Sequence, residues 1–193
     1  MNKLKIEKLL NIIEYEKVRE EYRKDIIEYK HNRRIALGPN VTMVFENEKT
    51  LSFQIQEIMR AERLVHDEQI LDEIEVYNSI MPPKDGLSAT LFIEITDEKK
   101  IKSVLNDFIG LTNGKNIYFE IGQDKVFAKF EEGREEQDKI SSVHYLQFYF
   151  NDKQKKIFTD LSHTVKISIN YNSYAYSQII SNETRFSLKE DLK

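Results

Sequence analysis

The chain has 193 residues, a net charge of −4 and 32% charged side chains, so it is long enough for one domain with a sizeable core. The absence of cysteine excludes disulfides, thiolate nucleophiles, cysteine-ligated zinc and any iron–sulfur cluster held by the chain's own thiolates. The acidic balance disfavours general nucleic-acid binding, which needs a basic domain or stripe.

Two further features of the sequence concern location and extent. No stretch approaches the roughly 18 uninterrupted apolar residues of a membrane helix. Residues 1–8 carry charges where a signal peptide would have its apolar run, so the expected location is the cytoplasm. We expect one domain over residues 1–193, with residues 1–12 and 184–193 peripheral.

The first predicted element is a long amphipathic helix over residues 13–32. Its stripe residues recur at spacings of three and four, and several are tyrosines, so the stripe is only partly apolar. The stripe consists of Tyr15, Val18, Tyr22, Ile26 and Tyr29.

The middle of the chain predicts a hairpin and then helices. Strands over 41–45 and 51–53 would flank a loop at 46–49. The period then changes, and 55–65 predicts a helix with a stripe that includes Ile55, Ile58, Met59 and Val65. Asp67 can begin a further helix that ends before Pro82.

The second half is richer in strands. The predicted elements are a central strand at 87–95, a helix at 98–109, a hairpin at 117–121 and 125–130, a charged loop or short helix at 131–139, strands at 143–150 and 165–169, and a C-terminal helix from about 177. Strands outnumber helices and their order is mixed. The pattern predicts an α+β domain with a mixed or mostly antiparallel sheet, a long N-terminal helix and other helices packed on the sheet.

The only stretch that resembles a phosphate-binding loop runs from Gly110 to Asn116. It has three residues between its glycines where the motif has four, and Asn116 stands where the motif has Ser or Thr. The sequence contains no HExxH, GxSxG or GxGxxG motif. The residues at 110–116 therefore indicate a turn.

Glu62 breaks the apolar pattern of its helix. Helical spacing places it between Ile58, Met59 and Val65 on the side expected to be buried. A buried carboxylate must be paired or protonated. We predict that Glu62 faces inward and contacts Arg33, Arg34 or His144, either in a structural ion pair with one of the arginines or as a catalytic group.

His144 and Glu94 are the other catalytic candidates. His144 shares a strand face with apolar residues, which is typical of a hydrogen-bonded core histidine and also permits a catalytic role. Glu94 lies on the face of Thr90 and Phe92 and could point inward. If Glu62, Glu94 and His144 converged, they could hold a metal that accepts oxygen and nitrogen ligands.

A polar helix face and a scattered polar set are the candidate binding sites. Gln56, Arg60 and Arg63 align on one helix, either as a solvated face or as a surface for a partner or an anion. In the rival hypothesis, an enzyme or small-molecule site, Glu and His act as base and acid and Arg holds an anionic substrate. Its residues would be Arg33, Arg34, Glu46, Gln54, Glu57, Glu62 and His144.

Six stretches, which occur in one order over nearly the whole chain, resemble an uncharacterised bacterial family of unknown function. They are RRIALG at 33–38, FEN at 45–47, FQIQEIMRAER at 53–63, YNSIMP at 77–82, ATLFIEI at 89–95 and SVHYL at 142–146. The glutamine-rich segment at 53–63 is the most specific of them. The family has no established activity, so the resemblance specifies no cofactor.

The resemblance does imply a cellular setting. Members are often encoded beside a rubrerythrin and a cysteine-rich iron–sulfur oxidoreductase that resembles a heterodisulfide reductase subunit. This implies an accessory or interaction protein in peroxide or redox metabolism, with one of those proteins as partner. Where the family tends to have Asp-His-Pro before an aromatic residue, this chain has Asn170 to Tyr174, so a role for that histidine does not transfer.

Overall fold

Two larger antiparallel sheets, a two-stranded sheet and a layer of helices form the part of the chain that the computed structural model describes, residues 3–131, 135–136 and 139–192. The helices are α1 (Ile12–His31), α2 (Glu48–Glu62), α3 (Asp67–Ser79), α4 (Ile101–Asn106), α5 (Asp152–Thr159) and α6 (Asn182–Leu188). The strands are β1 (Arg34–Leu37), β2 (Val41–Glu46), β3 (Gly86–Ile93), β4 (Ile117–Ile121), β5 (Asp124–Phe127), β6 (Lys129–Phe130), β7 (Glu135–Glu136), β8 (Lys139–Ile140), β9 (Val143–Tyr149), β10 (Val165–Tyr171) and β11 (Tyr174–Ile179). The predicted α+β class, with a long N-terminal helix, is confirmed.

The main core lies between the two larger sheets. One sheet has the order β1-β2-β3-β9-β6 and the other β11-β10-β4-β5, with β3 central in the first, as predicted. Alternate side chains of both sheets join one buried cluster. The ring of Phe119 lies 4.6 Å from that of Phe148 and 5.9 Å from that of Phe45, centroid to centroid, which joins the sheets face to face.

The opposite face of the five-stranded sheet is covered by helices. Leu51, Ile55 and Met59 of α2 form a second buried cluster with residues of α3, and Tyr145 of β9 packs against it. Helix α1 packs on α2. Since helices cover one face of this sheet and the second sheet covers the other, β2 is buried at all six positions.

The predicted hairpin at 41–53 is wrong, because residues 48–62 form the single helix α2. Asn47 caps this helix: its Oδ1 accepts from the Thr50 backbone N–H at 3.3 Å, and Thr50 Oγ1 accepts from the Asn47 N–H at 2.9 Å. Strand β2 pairs instead with β1 and β3. Leu51 and Phe53 are two residues apart, as on one face of a strand, but three residues are too few to distinguish the period of a strand from that of a helix.

The chain ends are also more buried than the sequence predicts. Leu4 is 3% exposed, and Arg185, Leu188 and Leu192 are 2%, 0% and 5% exposed, so the described parts of the two predicted peripheral segments, 3–12 and 184–192, both contribute buried residues. The predicted C-terminal helix is preceded by strand β11. The prediction for 131–139 falls partly on residues 132–134 and 137–138, outside the described residues. None of the described helices combines the length and apolarity needed to span a membrane.

Candidate functional site

Glu62 is exposed, so the prediction that it faces inward is wrong. Helix α2 ends at this residue, and Arg63 adopts the left-handed conformation with φ 56° and ψ 43°. Val65, the last residue of the predicted apolar stripe, lies beyond the helix and is 66% exposed. Within α2 the buried stripe ends at Met59, because the residues of the last turn after it are half-buried or exposed.

Glu94 is also on the surface. It follows the end of β3, its side chain is 45% exposed, and it pairs with Arg34. It also accepts a hydrogen bond from Thr42 Oγ1 at 2.8 Å. The expectation of an inward Glu94 is therefore wrong.

His144 lies in the core of the five-stranded sheet. It is 1% exposed, and its Nε2 lies 2.7 Å from the carbonyl oxygen of Ser141, to which an N–H at this nitrogen donates. The ring of Phe130 meets the imidazole edge-on at 6.1 Å. These contacts match the structural interpretation of this histidine. No group of three potential metal ligands of the His, Cys, Asp and Glu types occurs among the described residues.

Two charged side chains of α2, Glu57 and Arg60, form ion pairs with α1. Arg19 donates from Nε and Nη2 to the two oxygens of Glu57, both at 2.8 Å, and Tyr15 donates to the same carboxylate at 2.6 Å. The hydrogen bond from Arg19 is the main cause that lowers the pKa of Glu57 below its usual value. Burial, followed by the bond to Glu57, raises the pKa of Tyr15. Glu57 therefore joins two helices as a charged group.

The predicted partner surface of Gln56, Arg60 and Arg63 is also partly buried, because two of its side chains bind other parts of the chain. Gln56 is 2% exposed, and its amide forms two hydrogen bonds with the backbone of Leu10, at 2.7 and 2.9 Å. Arg60 pairs with Glu16 of α1 at 2.7 Å. Only Arg63 of the predicted trio is exposed. Gln54, from the rival set, is half-buried on the same helix.

We expect Glu57→Gln to lower the free energy of unfolding by about 1–2 kcal/mol at pH 7, because a charge-assisted network is lost. A carboxyl whose folded pKa is lowered stabilises the fold above its unfolded pKa, and that contribution disappears as the pH falls through the folded pKa. The stability gap between wild type and variant should therefore close in acid. Urea unfolding between pH 7 and pH 3 measures this, with Glu62→Gln as a control expected to change stability by less than about 0.5 kcal/mol. A gap independent of pH would contradict the prediction.

Arg33, which the sequence offers both as an ion-pair partner and as a substrate-binding residue, is buried. Its guanidinium pairs with Asp191, and the two side chains are 0% and 7% exposed. Arg33 also donates to the Phe45 carbonyl at 2.9 Å and to Ser187 Oγ at 3.2 Å. The buried partner of Arg33 is thus Asp191, not Glu62.

Glu46 is the one member of the rival set that is a buried carboxylate. It is 2% exposed, and its Oε1 accepts from Thr90 Oγ1 at 2.9 Å. Its Oε2 has no hydrogen-bond partner and is the only such buried side-chain atom among the described residues. The rival set as a whole does not converge in one cavity of the described part of the chain: Arg33 binds Asp191, Glu57 lies between α1 and α2, and Glu62 is exposed.

A family model described as "Protein of unknown function (DUF3501)" matches residues 3–192. The chain belongs to this family. A crystal structure at 1.90 Å of a novel protein of unknown function from Burkholderia pseudomallei K96243 is similar to this DUF3501 chain, with a TM-score of 0.91, 26% identity and coverage of 100% of both chains. No curated protein matches the chain. The resemblance to a family of unknown function is confirmed, whereas the redox setting stays a prediction.

The segment in which this DUF3501 protein departs from the resemblance has a structural role. Asn170 to Tyr174 covers the end of β10, the turn at 172–173 and the first residue of β11. The Tyr174 hydroxyl donates to the carbonyl of Leu37 at 2.7 Å and accepts from the N–H groups of Asn40 and Val41 at 3.0 and 3.1 Å. The Tyr174 hydroxyl therefore stabilises the turn between β1 and β2 through three hydrogen bonds.

Proposed function

We propose that the protein is an accessory or interaction protein of a redox system, with an iron–sulfur oxidoreductase or a rubrerythrin-like protein as its partner. It has no cysteine with which to hold an iron–sulfur cluster itself. The resemblance of its sequence to a family encoded beside such proteins supports the redox setting. In this role the protein docks, scaffolds or regulates proteins that carry electrons.

One observation favours binding over catalysis. The conspicuous ionic side chains are already occupied by other parts of the same fold, as the pairs Arg33–Asp191, Arg19–Glu57 and Arg60–Glu16 show. Groups held in this way contribute to stability and helix packing. Among the residues that the structure describes, no acid, base and anion-binding group therefore surround one substrate position.

The candidate docking surface is the exposed end of α2, which we define as Arg60, Glu62 and Arg63. Arg63 and Glu62 are exposed, and the Arg60 side chain is 37% exposed beside Glu16. Charges of both signs within one turn are typical of the polar rim of a transient protein complex. Reversing one of these charges changes the association rate and its salt dependence.

Affinity purification of the tagged protein from its own host, under gentle lysis, tests this proposal. We expect wild type to recover an iron–sulfur oxidoreductase or a rubrerythrin-like protein, and Arg63→Glu to recover several-fold less. Lys102→Glu, an equal charge reversal at an exposed position of α4, should recover as much as wild type. Recovery of neither partner by wild type would contradict the function, and equal recovery by Arg63→Glu would contradict the surface.

The alternative function is an enzyme or a small-molecule or metal-binding protein with a Glu, His and Arg site. The unpaired oxygen of buried Glu46 is the observation that favours it. His144, the predicted acid or base of this site, is held in the core by its hydrogen bond to the Ser141 carbonyl. The accessory function therefore remains the leading proposal.

A further inference from the structure

A cleft of about 940 Å³ lies where the start of α2 meets the segment after α3 and the C-terminal residues of the chain. This volume is near the upper end of the range for small-molecule sites. Helix α2 contributes Lys49 and Ser52 to the lining, the segment after α3 contributes residues 81–84, and the chain end contributes Glu190 and Asp191. Segments that are far apart in the sequence therefore form one concave surface in the folded chain.

One wall of the cleft is apolar and preformed. Met81 is 7% exposed, and the half-buried Pro82 and Pro83 follow it. A proline ring fixes φ, so two successive prolines hold this wall in one conformation before a ligand arrives. The ring of Tyr22, which lines the cleft from α1, packs edge-on against that of Phe53 at 5.8 Å between centroids. Apolar contacts that are already in place reduce the entropy that binding costs.

Most carboxylates of the lining are compensated within the fold. Glu48 pairs with Lys8, which lines the same cleft, and Asp191 pairs with the buried Arg33. Glu190, the remaining carboxylate of the lining, is exposed. The lining therefore adds at most one uncompensated negative charge to the cleft.

Two lysines of the lining keep their charge for a ligand. Lys49 and Lys84 are exposed, and neither forms an ion pair with a carboxylate of the described residues. The Lys49 ammonium lies 4.4 Å from the centroid of the Tyr29 ring, which is a contact with an aromatic face and not with a counter-ion. Ser52, three residues after Lys49, lies on the same side of α2 and adds a hydroxyl group to the lining.

The balance of these charges indicates the class of ligand. The two ammonium groups of Lys49 and Lys84 face at most the one carboxylate of Glu190, so at least one positive charge is left over. A monoanion neutralises this surplus, whereas a phosphate ester with close to two negative charges exceeds it. The apolar wall favours an anion that carries a hydrocarbon body.

We propose that this cleft binds a small organic carboxylate, whose anionic group interacts with Lys49 and Lys84 and whose apolar part lies against Met81, Pro82 and Tyr22. This binding role is independent of the accessory function, because the cleft lies at the start of α2, about 20 Å along the helix from the docking surface at its end. It needs no partner protein, so failure of either proposal leaves the other standing.

NMR titration of the full chain tests this role, with phenylacetate as the probe and phenylacetamide as an uncharged molecule of nearly the same shape. We expect phenylacetate to bind roughly tenfold more tightly at low salt, the lower end of the range for a hydrogen bond to a charged group, because both lysines are exposed to water. The preference should weaken as sodium chloride is added, since exposed charges are screened by salt.

A charge-neutralised variant identifies the groups responsible. Lys49→Gln combined with Lys84→Gln alters only exposed side chains, so the variant should fold as wild type does and lose the preference for phenylacetate. Lys102→Gln, an equal neutralisation at an exposed position of α4, should retain the preference.

Nuclear Overhauser contacts between phenylacetate and the unaltered protein provide a second measurement that needs no variant. They should connect the aromatic protons of the probe to the Tyr22 ring and the Met81 methyl group. The proposal is overturned by the absence of phenylacetate binding at millimolar concentration, by equal affinity for phenylacetamide, by an unchanged preference in the double variant, or by contacts elsewhere on the surface.

Discussion

Replacing Arg33 with methionine is expected to lower the free energy of unfolding by about 3–5 kcal/mol, the usual cost of breaking a buried ion pair from one side. The Asp191 side chain, 7% exposed, would keep its charge without the guanidinium beside it. The carbonyl of Phe45 would also lose its donor from Arg33. Thermal unfolding should show a fall in Tm of roughly 6–20 °C for a chain of this size.

The neighbouring arginine provides the control for this prediction. Arg34 forms an exposed pair with Glu94, with side chains 52% and 45% exposed, so Arg34→Met should cost no more than about 1 kcal/mol. Adding Asp191→Asn to Arg33→Met removes the stranded charge and should recover part of the loss. Equal stability of Arg33→Met and Arg34→Met would contradict the structural importance of the buried pair.

Elements whose pattern repeats over many residues were predictable from the sequence. Helix α1 contains five turns of the three- and four-residue spacing, and β9 alternates over seven residues between its two faces. The start of α2 could not be predicted from the spacing, because Leu51 and Phe53 alternate like a strand over only three residues. The capping pair Asn47 and Thr50 was the local signal that could have decided it.

Predictions about which side chains are buried failed where they depended on distant elements. Glu62 would face inward only if another element packed on the last turn of α2. Helical spacing alone does not show whether such an element is present. Asp191, the partner of Arg33, lies 158 residues away in the chain. Thr90, which binds Glu46, lies 44 residues away. No pattern within a window of sequence links such residues.

Arg185 is a further buried cation that the sequence did not single out, and Arg185→Met is expected to cost about 3–5 kcal/mol. Arg185 is 2% exposed, and the partners of its guanidinium among the described residues are backbone carbonyls, at 2.5 to 2.9 Å. The acceptors are the carbonyls of Ile157, Phe158, Asp160 and His163. These groups lie at and just beyond the end of α5, where carbonyls have no partner within the helix.

The cost arises because methionine fills the space but donates no hydrogen bond to these carbonyls. Burial lowers the pKa of Arg185 below its ordinary value, yet an arginine remains charged at any pH at which the protein folds, so the loss in stability should not vary between pH 5 and pH 9. Arg185→Lys should lose less, because an ammonium keeps the favourable charge at the helix end but cannot reach all of the carbonyls with its three donors. Lys189→Met, which removes a cation 4.0 Å above the ring of Phe186 on the same helix, should cost below about 1 kcal/mol. Urea unfolding of the three variants checks the order, and a loss for Arg185→Met no greater than for Lys189→Met would show that water replaces the guanidinium at the end of α5.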